Sequence, residues 1–117
     1  MDVDFIARVE AEIELLRRRY ASYLREIPGT RALEAHWTAS SRTLRWHVVL
    51  EDILEPDIDV EILPEALVVR ACVETPEETL LGVLPVPPEF DARHPDVRYE
   101  VDHLEILLVR VQRGTRA

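Results

Sequence analysis

DIDVEILPEALVVRACVE, residues 57–74, holds two apolar runs of different pattern on either side of a single proline. In the first, Ile58, Val60 and Ile62 alternate with Asp57, Asp59 and Glu61. Strict alternation predicts a strand with its aliphatic side turned inward and its acids in water. The second run, ALVVRACV (66–73), is rich in β-branched residues and predicts another strand. Pro64 stands between them, where no ladder N–H is needed.

The same grammar extends in both directions. LRWHVVLED (44–52), TLLGVLPV (79–86), DVRYEV (96–101) and HLEILLVRV (103–111) are short, aliphatic and bounded by Pro56, Pro76, Pro85, Pro87, Pro88 and Pro95. Five or six such runs predict a mainly β protein, an antiparallel, immunoglobulin-like β-sandwich. Tyr99, Val101, Leu104, Ile106 and Leu108 are expected to point into the two-sheet core. Leu107, Val109 and Val111 then lie on the opposite face and need a second cover.

Before the strands the period changes. Ile6, Val9, Ile13, Leu16, Tyr20, Tyr23 and Ile27 fall at alternating spacings of three and four, which predicts a long amphipathic helix over residues 2–27. Asp2 or Asp4 caps its start and Pro28-Gly29 closes it. Acids early and arginines late complement the helix dipole. The seam admits two uses, self-association as a coiled coil or docking on the chain's own domain, with Phe5, Leu15 and Leu24 widening the apolar face. TRALEAHWTASS (30–41) is expected to be a connector with a helical turn at 31–36. The domain organisation expected is a helix and connector at 1–37 and a sandwich at 38–117. Trp37 and Trp46 are expected to seal the junction.

Composition excludes several functions. At 117 residues the chain suits one core without metal or disulfide staples, and its one cysteine forms no internal disulfide. Residues 46–117 carry six Arg against sixteen acids, a charge of −10 that repels phosphate backbones and anionic lipid. Neither nucleic acid nor membrane is expected as a partner. No apolar run approaches membrane-spanning length and MDVDF has no leader-like pattern, so a cytoplasmic protein is expected. All fourteen basic residues are Arg, which removes lysine chemistry.

The order and pattern of these runs resemble the α-crystallin domain of small heat-shock proteins. The likeness is carried by DIDVEILPEALVVRACVE, by a strand entering LPVPPEFD (84–91), and by DVRYEVDHLEILLVRV (96–111), with LRWHVVLEDILEPDI (44–58) before them. It implies that a groove between Ile58, Val60, Ile62 and Val97, Tyr99, Val101 is the binding site for clients or partners. Three departures stand out. Asp102-His103 replaces the Asn-Gly that usually opens the last strand. Only ETPEET (74–79) stands where bacterial and plant members carry a long dimerisation loop. QRGTRA (112–117) holds no Ile-x-Ile tail, so assembly through that tail is not expected.

Catalytic patterns are lacking. His36, His47, His94 and His103 show no metal-ligand spacing, and each reads as a surface or turn histidine. Gly29, Gly82 and Gly114 make no phosphate loop, no GxSxG surrounds a serine, and Cys72 reads as a buried structural thiol. An enzyme, a cofactor and a metal are therefore not expected. The resemblance implies an ATP-independent holdase of the stress response that binds non-native client proteins as a homo-oligomer, dimer or larger. A non-catalytic adaptor resembling co-chaperone CS domains, docking on one dedicated protein partner, fits the short loop. A structural subunit using the helix seam is a third possibility.

Overall fold

The computed structural model describes residues 2–25, 30–50, 57–74 and 77–111. The chain runs α1 (Asp2–Arg25), β1 (Thr30–Ala32), β2 (Ala35–Ala39), β3 (Thr43–Val49), β4 (Asp57–Leu63), β5 (Ala66–Glu74), β6 (Glu77–Pro85), β7 (Asp96–Tyr99) and β8 (His103–Val109). Two four-stranded sheets result, ordered β1-β6-β5-β4 (sheet A) and β2-β3-β8-β7 (sheet B). All pairings are antiparallel except β1 with β6. The β-sandwich preceded by a helix stands as expected. The helix closure at Ile27 and Pro28-Gly29 lies outside the described residues, as does QRGTRA.

Alternation builds the core. Leu44, Trp46 and Val48 of β3 and Leu104, Ile106 and Leu108 of β8 are buried from sheet B, facing Leu67, Val69 and Ala71 of β5 and Leu80 and Leu84 of β6. Each fully buried aliphatic side chain contributes roughly 1.5–3 kcal/mol. The indole of Trp46 joins the sheets, donating from Nε1 to the carbonyl of Pro85 at 3.0 Å inside this core. β5 and β6 are buried on their other face as well, through Val68 and Leu81. Their register ends at Glu74 opposite Glu77.

The helix packs in cis. Val9, Ile13 and Leu16 are buried, and Phe5, Val9 and Ile13 join the same apolar cluster as the sheet interiors. Ile6 is half-buried against that cluster, Tyr20 is half-buried, and the side chains of Tyr23 and Ile27 lie outside the described residues. Phe5 tilts against Phe90 at a centroid distance of 6.0 Å, with the Arg110 guanidinium 4.3 Å over its ring. Leu15 is exposed. The strand along which α1 makes its main contacts is β6, not β8, so Val109 and Val111 on the expected second face of β8 stay exposed.

The connector expected at 30–41 is instead two strands. Thr30–Ala32 adds to β6 in parallel, and Ala35–Ala39 pairs with Leu44–Val48. Ala35, Trp37 and Ala39 are half-buried while His36 and Thr38 are exposed, a period of two that overrides the helix propensity of TRALEA. The division expected after Trp37 therefore falls inside β2. Ser40 makes the turn, its Oγ accepting from the backbone N–H groups of Arg42 and Thr43 at 3.2 and 3.1 Å. Trp37 lies opposite Trp46 within this pairing, so the two tryptophans belong to the sandwich itself. Leu33, just after β1, sits where Gly82 leaves room: a Cβ on Gly82 would stand 3.2 Å from that of Leu33.

Candidate functional site

The edges of the two sheets position the candidate groove. Only Leu33 and Glu34 separate β1 from β2, which places those two edges on one side of the sandwich. The opposite edges, β4 and β7, consequently share the other side. That is where the resemblance put its groove.

Along β4 the alternation holds in part. Asp57, Asp59 and Glu61 face water, and Ile58 and Val60 are half-buried against the core, but Ile62 is exposed. Asp59 is paired with Arg70 of β5 at 3.2 Å. On β7, every described side chain is exposed. Tyr99 and Val101 do not enter the core as expected; Tyr99 is 50% exposed and Val101 91%. The reason is topological. β7 has a neighbour on one side only, β8, and its pairing ends at Tyr99 opposite Leu104. The chain then turns, closed by the Glu100 N–H donating to His103 O at 2.9 Å, with Val101 in the turn. Val97, Tyr99, Val101 and Ile62 are thus four large apolar side chains held in solvent on this side of the molecule. The C-terminal end of β4 opens into a concavity of about 540 Å³ that includes Ile62, Pro64, Pro88, Phe90 and Ala92. Backbone donors and acceptors along a free edge add a second means of holding an extended peptide.

Chemical groups on this side are sparse. Asp91, in the connector before β7, takes hydrogen bonds from His94 Nδ1 at 2.8 Å and from the Arg93 N–H at 2.9 Å. The bond from His94, then that from Arg93, holds its carboxyl below the usual range. Cys72 is half-buried rather than fully buried, and is a free thiol.

Sequence spacing missed one grouping. His47 and His103 are 56 positions apart, yet the β3–β8 register sets His47 opposite Glu105 and His103 opposite Val49. The two imidazoles stack at a centroid distance of 4.5 Å, inclined by 22°. Both remain on the outward face, as surface histidines, but they form a pair. The signal was present only as two outward positions on strands that become neighbours.

No protein-family model and no curated protein matches the chain in sequence. Among solved structures, heat shock protein 16.0 from Schizosaccharomyces pombe superposes with a TM-score of 0.63, covering 89% of this chain and 90% of that one at 14% sequence identity. The two chains share a fold. The similarity spans the helix-bearing N-terminal part as well as the sandwich, since so little of either chain is left out. Among the described residues, no helix is long and apolar enough to cross a membrane.

Proposed function

We propose that the chain is an ATP-independent holdase, resembling small heat-shock proteins, that captures non-native proteins along the β4–β7 side of its sandwich. The observation that carries this reading is the row of solvent-held apolar side chains, Ile62, Val97, Tyr99 and Val101, beside two free strand edges. Exposed apolar surface next to open backbone is what an unfolding chain binds, through burial and through strand addition. A sandwich portion with a charge of −10 keeps a loaded complex in solution. The activity needs no cofactor and suits a cytoplasmic protein of the stress response working as a dimer or larger.

The test is light scattering of two unrelated model proteins heated with increasing amounts of this chain and no nucleotide. Both are expected to be protected, and the double substitution Val97→Asp/Tyr99→Asp is expected to reduce protection several-fold while leaving the fold intact, since both side chains lie outside the core. Failure with both clients overturns the holdase reading. It would favour an adaptor resembling co-chaperone CS domains, with the same surface docked on one dedicated protein partner. The short ETPEET stretch (74–79), in place of a long dimerisation loop, is the feature that supports that second reading.

A further inference from the structure

The outward face of sheet B carries a group of side chains that packing does not explain. His47 and His103 project from adjacent strands, and Glu105 stands directly opposite His47. His47 Nδ1 lies 3.8 Å from Glu105 Oε1, and one ligand atom from each of the three residues can be chosen so that all lie within 4.8 Å of one another. All three are half-buried, shielded by the sheet beneath yet open to solvent above. On a zinc ion with bonds of about 2.0–2.1 Å, tetrahedral ligand atoms stand roughly 3.3 Å apart. The present spacing is wider than that, so the three side chains would draw together on an ion.

A second observation concerns Asp102. Its Oδ1 lies 2.8 Å from His103 Nδ1. A carboxylate oxygen has no proton to give and can only accept. Nδ1 of His103 is then the donor in this contact, and Nε2 is the ring nitrogen left for a further ligand. A carboxylate behind an imidazole is the arrangement that orients a metal-binding histidine and raises its basicity. His36, opposite His47 on β2, and Arg98, opposite Glu105 on β7, flank the group; His36 Nε2 is taken by Glu34 at 2.7 Å.

The geometry points to a divalent transition-metal site, zinc above all, formed by His47, His103 and Glu105 with Asp102 as a positioning residue. Two imidazoles and one carboxylate suit zinc better than magnesium or calcium, which favour all-oxygen ligands. Three protein ligands leave a fourth position facing solvent. The bound ion would clip β3 to β8 on the side away from the core, and the chain's net charge of −9 favours cations at its surface.

The experiment is calorimetric titration of the full chain, stripped with chelator, with zinc chloride at neutral pH. One equivalent is expected to bind and to raise the melting temperature. His47→Ala or His103→Ala should weaken binding at least tenfold, and Asp102→Asn by about tenfold to a hundredfold. His94→Ala, on the separate connector, should leave zinc affinity unchanged. Circular dichroism of each apo variant confirms that the sandwich is folded. No saturable binding, or affinity unchanged in the His47→Ala/His103→Ala double variant, would each overturn the site.

Discussion

The indole N–H of Trp46 donates to the carbonyl of Pro85 at 3.0 Å, a buried bond that runs from sheet B to the end of β6 in sheet A. Trp46→Phe keeps most of the apolar volume and removes the donor. A buried carbonyl without its partner costs roughly 1–3 kcal/mol. Urea unfolding of the variant should show a loss in that range with an unchanged slope; no loss would mean that water replaces the indole.

Leu16 is buried by the chain's own sandwich. Leu16→Asp should therefore destabilise the monomer fold by at least about 3 kcal/mol, through lost burial and an unpaired buried charge. The melting temperature should drop while the native mass in solution stays the same. A fall in mass with an unchanged melting point would instead assign the seam to self-association.

Gly82 gives Leu33 its place, and Leu33 continues β1 onto sheet A through its N–H to Leu81 O at 3.0 Å. A methyl group at 82 would crowd the Leu33 Cβ at 3.2 Å, and both atoms belong to backbone-anchored positions. Gly82→Ala should cost about 1–3 kcal/mol by overpacking. Hydrogen exchange should also quicken at Leu33 before it does at Leu104 or Ile106.

Asp91 holds the connector before β7 through His94 and the Arg93 N–H. Its folded-state value lies below the ordinary 3.8, so its contribution is complete above that pH and is lost as the pH falls through the lowered value. Asp91→Asn should therefore be less stable than the parent near neutrality, and the gap should close in strongly acidic buffer. Paired urea midpoints across that range check the sign.

Much of this fold could be read from residue order because β-branched runs bounded by proline leave few alternatives, as Asp57–Leu63 and Ala66–Glu74 illustrate. Thr30–Ala32 and Ala35–Ala39 could not be, since alanine, leucine and glutamate favour helix and only pairing makes them strands, the first with the distant β6 and the second with the adjacent β3. The helix seam was legible as a seam, but its partner was not: periodicity records an apolar face without saying what covers it. Of the groove, Ile58 and Val60 kept the inward alternation expected of them. Tyr99 and Val101 did not: Tyr99 ends an edge strand paired on one side to β8, and Val101 lies in the turn beyond it. The His47–His103 contact depends on cross-strand register, which spacing within one sequence does not contain.

β1 is only three residues long and lies over Thr79, Leu80 and Leu81 of the nine-residue β6. A second polypeptide seeking to extend sheet A from that side meets a template too short to nucleate a ladder, whereas β4 offers seven residues. The segment following the helix thus biases the direction in which sheet A can grow, turning incoming strands away from β6 and towards the flank where the apolar side chains stand.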